Sequence, residues 1–281
     1  MANERRVLLD GLTFPEGPRW HEGRLWFSDF YSHRVIVLAS DGAAETIVEV
    51  PRQPSGLGWL PDGRLLVVSM LDRKLLRLDP GGLAEAADIS TIATGPCNDM
   101  VVDGEGRAYV GNFGYDRHAG EAERPAKLAR ADADGTVAVV AEDLGFPNGM
   151  VITPDGETLI AAETTNHRLT AWRRDADGGL AGQRLFADLG ENVPDGICLD
   201  AEGGVWVADP RNNEVIRVRD GGAVTARIST GDLGAYACML GDDDRQTLYI
   251  CTNTTSGPGA AEAKGGRIEA VRVEVPGVGW P

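Results

Sequence analysis

The sequence predicts an all-β protein, a six-bladed β-propeller with four antiparallel strands per blade, and three observations carry that expectation. A Pro-x-Gly pattern recurs at Phe14-Pro15-Glu16-Gly17, Gln53-Pro54-Ser55-Gly56, Phe146-Pro147-Asn148-Gly149 and Val193-Pro194-Asp195-Gly196. Looser copies stand at Pro96-Cys97-Asn98-Asp99-Met100 and Tyr236-Ala237-Cys238-Met239. The slot inside each copy reads Glu16, Ser55, Asn98, Asn148, Asp195 and Ala237, at successive spacings of 39, 43, 50, 47 and 42 residues. A period of about 40 to 45 residues with several short apolar runs per unit is how a propeller looks in sequence. Each unit also holds a tight turn, as in His21-Glu22-Gly23-Arg24, Pro61-Asp62-Gly63-Arg64 and Pro154-Asp155-Gly156-Glu157, where Gly accepts the positive φ of a hairpin.

Taken in order, residues 4–9 read as a strand with no unit of their own, and the last repeat, ending at 267–275, lacks a fourth strand. An N-terminal strand completing the final blade closes the ring and removes the open edges that invite aggregation. Blade one carries Leu25-Trp26-Phe27-Ser28 and Val35-Ile36-Val37-Leu38, and blade two Leu65-Leu66-Val67-Val68, Leu75-Leu76-Arg77-Leu78 and a last strand near 85–89. Such continuous apolar runs fit strands buried on both faces, where blades stack. Blades four and five are regular. Blade three departs from the pattern with an insertion at 112–121 and blade six with one at 253–266. Both insertions join a second strand to a third. Because each strand reverses direction, those loops overhang the face on which the Pro-x-Gly slots open, and loops on a rigid scaffold are where binding groups gather.

A chain of 281 residues built from even repeats reads as one domain, and 37 Gly with 15 Pro suit strands and turns rather than long helices. The net charge of −16, from 43 acidic and 27 basic residues, argues against nucleic acid and anionic membrane as partners and says nothing of a substrate inside a pocket. The polar start Ala2-Asn3-Glu4-Arg5-Arg6 before a brief Val7-Leu8-Leu9 is too short for a signal-peptide core, so a cytoplasmic location is expected. Cys97, Cys198, Cys238 and Cys251 have no CxxC spacing and read as buried thiols. Trp20, Trp59, Trp172 and Trp206 read as packing between blades, and His21 and His33 as solvent-facing. Serine catalysis finds no Gly-x-Ser-x-Gly elbow.

Slot residues converge on the axis of a six-fold ring. Two carboxylates there, Glu16 and Asp195, would repel each other unless a cation lies between them. Carboxylate and Asn oxygens suit a hard divalent ion, calcium before zinc, manganese or magnesium. The competing reading is a strand-start turn whose middle residue is solvated, and it is the one that fits Ser55 and Ala237.

Phe14-Pro15-Glu16-Gly17-Pro18, Asn98-Asp99, Phe146-Pro147-Asn148-Gly149 and Pro194-Asp195-Gly196 resemble the senescence marker protein, gluconolactonase and luciferin-regenerating enzyme family over nearly the whole chain. The resemblance implies a six-bladed propeller holding one divalent cation through Glu16, Asn148 and Asp195, with Asn98 reaching the metal-bound water or the substrate and, with Asp195, counted as catalytic. It implies hydrolysis of a lactone or related ester, the cation polarising the carbonyl and Asp195 accepting a proton from the attacking water. Sugar-lactone members carry an Arg two residues before the blade-three Asn, where this chain has Pro96. Arg117 or His118 in the blade-three insertion would then hold the substrate, and a less hydroxylated substrate is expected. Two other functions stay open: isomerisation or cyclisation at the same cation, and a non-enzymatic binding propeller.

Overall fold

The structure, a computed structural model, describes residues 4–39, 42–117 and 119–279. Among them the strands form six four-stranded antiparallel sheets, arranged as the blades of a ring. Five blades use strands consecutive in sequence, for example Pro15–His21, Arg24–Asp29, Arg34–Leu38 and Ala44–Glu49 in blade one. The sixth takes Gly234–Gly241, Thr247–Asn253 and Gly266–Arg272, and Arg6–Leu12 supplies its outer strand. That strand pairs antiparallel with Gly266–Arg272, from Arg6 opposite Ala270 to Leu12 opposite Gly266. The expected closure is thus present, with the strand lying a few residues later than 4–9.

The apolar runs pack between blades. Val101, Tyr109 and Leu128 of blade three meet Met150, Ile152, Leu159 and Trp172 of blade four, all buried. At the closure, Leu12 joins Phe27, Ile36, Ile250 and Ile268, which ties the N-terminal strand to blades one and six. Helix is confined, among the described residues, to the single turns Phe30–Ser32 and Ala260–Ala263, and no helix is long and apolar enough to cross a membrane. The blade-two outer strand, expected near 85–89, runs over Gly82–Asp88.

The inner strands deviate from regular pairing at one recurrent place. Register shifts fall between Glu16 and Arg19, Pro54 and Leu57, Cys97 and Met100, Pro147 and Met150, and Ala235 and Ala237. Each shift lies at or beside a Pro-x-Gly slot, and a bulge of this kind bends the strand and re-aims a side chain. Leu12→Ala should lower stability by about 3 kcal/mol in urea denaturation. A loss below about 1 kcal/mol would show that the closing strand does not share the cooperativity of the ring.

Candidate active site

Glycine follows the slot because the inner strands nearly touch. A Cβ at Gly149 would lie 2.4 Å from the Ile197 nitrogen, and one at Gly56 would lie 2.4 Å from the Met100 nitrogen. Only a residue without a side chain allows that approach. The approach is used for bonding: the Gly149 N–H donates to the Asp195 carbonyl at 3.2 Å, and the Gly196 N–H to the Tyr236 carbonyl at 2.8 Å. Neighbouring blades are thereby joined at the axis, directly beneath the slot side chains.

Those side chains line one cavity of about 520 Å³ that opens on the face predicted from strand parity. Glu16, Asn98, Asn148 and Asp195 all contribute to it, with Phe113, Asp116 and Arg117 from the first insertion and Ser256 and Pro258 from the second. Glu16, Asn98 and Asn148 are buried, and Asp195 is half-buried. Burial holds the Glu16 carboxyl well above its usual range, Asp195 adding repulsion and the Gly17 N–H, at 2.9 Å, opposing the shift. Burial pushes Asp195 up to about 8, with a hydrogen bond from Asn148 pulling the other way and Asp99 adding repulsion. The nearest guanidinium below the floor is already committed: Arg19 bonds Asp99 at 2.6 Å and the carbonyls of Pro18 and Met100.

Among the described residues no three Asp, Glu, His or Cys side chains gather as a metal site. The floor reaches a plausible donor count only by adding amide oxygens to its two carboxylates. Carboxylates and neutral carbonyl oxygens together form the donor chemistry of a hard cation, and the raised carboxyls show an unmet need for positive charge, so the residues fit a divalent ion.

The neighbours orient this set. Asn148 Nδ2 donates to Thr164 Oγ1 at 3.2 Å, and that hydroxyl donates to the Pro194 carbonyl at 2.8 Å. Thr164 therefore turns the Asn148 amide and steadies the loop carrying Asp195. Ser55 is buried, and its hydroxyl sits 3.4 Å from Asn98 Oδ1, so the expectation of a solvated turn fails there; Ala237 is equally buried, against Gly196.

Sequence reasoning also missed clamps at the end of the second strand in five blades, the blade-two counterpart Ser69 making no such bond among the described residues. Asp29 accepts from Thr13 Oγ1 and the Phe14 N–H, both at 2.6 Å, and from Ser32 Oγ. Glu163 accepts from the Gly145 N–H, Asn166 and Arg168, Asp209 from Asn192 and Asn212, and Asn253 donates to the Thr13 carbonyl. The signal was present as a polar residue closing each apolar second strand, at Asp29, Ser69, Asn112, Glu163, Asp209 and Asn253.

Of the predicted substrate contacts, Arg117 lines the mouth, whereas His118 lies outside the described residues. Arg117 is near enough to act on the electrostatics of Asp195, Tyr31 and Tyr236. His21 is not free in solvent: its ring stacks on Trp59 with centroids 3.8 Å apart, and burial lowers its pKa. The four cysteines are buried and free, as expected.

A six-bladed ring with a carboxylate-and-amide floor under a single mouth defines a class of small-molecule-binding propeller. Residues 14–254 match the family model described as "SMP-30/Gluconolactonase/LRE-like region", and the chain belongs to that family. Pentonolactonase XacC of Haloferax volcanii is 29% identical, over 98% of this chain and 96% of its own. The 6-deoxy-6-sulfogluconolactonase of Pseudomonas putida is 28% identical, over 95% and 93%. A solved calcium-binding protein, regucalcin, from Agrobacterium tumefaciens superposes with a TM-score of 0.83 at 25% identity, covering 99% of this chain and 97% of its own.

The raised carboxyls give a pH signature. A carboxyl whose folded pKa exceeds its unfolded value, about 4, binds its proton more tightly when folded, so stability falls as pH rises between the two. Chelated protein should therefore lose thermal stability from about pH 4 toward the folded Asp195 value of about 8. Asp195→Asn should flatten that slope, and a melting temperature that climbs through this window would contradict the assignment.

Proposed function

We propose that the chain is a lactonase whose floor holds a divalent cation through Glu16, Asn148 and Asp195, with calcium the first candidate and zinc, manganese and magnesium the alternatives. The observation that carries this reading is the pair of mutually repelling carboxylates, Glu16 buried and Asp195 half-buried, set beside two amides at the bottom of one cavity. Relatives spanning almost the whole chain and named as a pentonolactonase and a sulfogluconolactonase support the reaction, and a calcium-binding neighbour supports the ion. On this reading the whole chain acts as one domain on a small-molecule lactone or related ester, in the cytoplasm.

When bound, the cation supplies positive charge to the lactone carbonyl and to the oxyanion that forms on attack. Asp195, ionised with the cation in place, takes the proton of the attacking water and returns it to the leaving ring oxygen. Asn98, buried and backed by Ser55, directs its amide N–H toward the carbonyl oxygen as charge develops there. Glu16 and Asn148 hold their oxygens on the axis. The aromatic walls limit the water that reaches the ester.

The test is lactone hydrolysis by chelated protein with calcium, zinc, manganese or magnesium added back. Turnover should return with at least one ion. Asp195→Asn should lose about a thousandfold in kcat and Asn98→Ala about a hundredfold, both still folded by circular dichroism. Stoichiometric ion binding with no turnover of any lactone would overturn the hydrolase and favour isomerisation or a binding role. Thr164→Val, which cannot turn the Asn148 amide, should weaken calcium binding about tenfold by calorimetry, with Thr164→Ser restoring it. Unchanged affinity in Thr164→Val would remove Thr164 from the site.

A further inference from the structure

We propose that the lactone this cavity accepts carries a flat apolar substituent and a carboxylate, rather than the ring of hydroxyls that a sugar lactone presents. The inference rests on the lactonase reading above and deepens it.

The walls are aromatic on two opposed sides. Phe14, from the leading loop of blade one, lies 5.4 Å from the Phe30 ring, 6.0 Å from Tyr31 and 4.6 Å from Tyr236 of blade six. Blades three and four stand across the ring from these, and there Phe113 and Phe146 sit 4.3 Å apart. All six rings line the cavity, so the space between them is a slot faced by π surfaces. Phe146 holds its place at φ +56, a left-handed conformation that costs a bulky side chain about 1 to 3 kcal/mol. A ring kept on the wall against that cost marks the wall as the part that matters.

Hydroxyl-binding groups are scarce by comparison. Pro96 offers the cavity no donor. Thr164 is engaged with Asn148 and the Pro194 carbonyl, Ser256 bonds Tyr236, and Asp116 accepts from the Ala119 N–H. Gln53, the Tyr31 hydroxyl and the guanidinium groups of Arg117 and Arg211 are left as the hydrogen-bonding groups above the floor, few against six aromatic rings. A polyhydroxylated ring brought into this slot would exchange water for aromatic carbon at most of its hydroxyls, and each unpaired polar group costs free energy.

The mouth itself is cationic. Arg117 and Arg211 line it in a chain of net charge −16, and neither forms a salt bridge among the described residues. Many other arginines are held by acids, Arg64 by Asp62 and Asp79, Arg107 by Asp103, Arg184 by Asp220 and Arg217 by Asp200, whereas Arg73 bonds a carbonyl and Arg24 lies over Trp26. Arg117 acts on Tyr31 of blade one, Asp195 of blade five and Tyr236 of blade six, which puts its charge over the opening rather than out at the perimeter. A guanidinium is a planar fork shaped for a carboxylate, and a cavity of about 520 Å³ has room for a lactone, an aryl group and that anion together.

Three five-membered lactones test this: a polyhydroxylated sugar lactone, the phenyl-substituted ring and its para-carboxyphenyl counterpart. With the activating ion present, kcat/KM should rise in that order, the carboxylate adding about tenfold through KM. Arg117→Ala should erase most of the carboxylate's advantage and Arg117→Lys should retain part of it. The cyclic ether matching the carboxyphenyl lactone, which has no ester to cleave, should bind the wild type by calorimetry and bind Arg117→Ala about tenfold more weakly. Preference for the sugar lactone, an Arg117→Ala loss equal for charged and neutral rings, or no binding of the ether would overturn the inference while leaving the hydrolase intact. Ether binding through Arg117 with no lactone turned over would do the reverse.

Discussion

Two acidic side chains directed at one axis set the terms for the rest of this ring. In a low-dielectric pocket Glu16 and Asp195 cannot both be ionised at modest cost, so they must share protons or share a cation. An apolar filler at either slot would avoid the conflict, as Ala237 does in blade six. The fold instead maintains it with specific backbone features: a bulge at the Glu16 slot, glycines that let the next blade approach, and inter-blade hydrogen bonds beneath. Arg19 could have neutralised the pair. It is drawn away by Asp99 and two carbonyls, and the charge on the floor is left for something that enters from the mouth.

The blade count, the closing strand and the face on which the site opens were legible because each follows from local chain properties: a repeat period, turn chemistry and the alternation of strand direction. The floor residues were legible for the same reason, since Pro and Gly mark the slot in sequence. The bulges were not, because one extra residue in an inner strand is visible only against its partner. Nor were the clamps, although Asp29, Glu163 and Asp209 recur in phase; a carboxylate ending a strand looks solvated until the leading loop folds over it. His21 shows the limit from the other direction. Nothing in its own neighbourhood announces Trp59, which arrives from the next blade.

This arrangement separates two kinds of specificity. The floor comes from inner strands whose backbones bond to one another across blades, so its geometry is shared by the whole ring. The walls come from loops joining second to third strands and from the loops that lead into each blade, whose lengths change without disturbing the ring, as the insertions in blades three and six demonstrate. A fold of this design can keep one floor chemistry and vary the molecule it accepts, which is why the fold by itself does not name a substrate.

The clamps decide which parts of the wall are firm. Asp29 grips both the loop bearing Phe14 and the turn bearing Phe30 and Tyr31, so one buried carboxylate fixes three of the six rings, and Glu163 fixes the loop bearing Phe146 through the Gly145 N–H. The aromatic slot is therefore braced from behind. Arg117 has no comparable brace: it rides on the blade-three insertion, whose base is tied to the ring by the Phe113 N–H to the Pro96 carbonyl, Thr94 Oγ1 to the Gly114 carbonyl and Arg124 to the Thr94 carbonyl, short of Arg117 itself. Rigid walls suit recognition of a flat apolar group, where packing decides affinity, whereas a long cationic side chain on a loop can follow an anion whose position varies with the substituent. The firm and the adjustable halves of the mouth thus match the two halves of the ligand inferred for it.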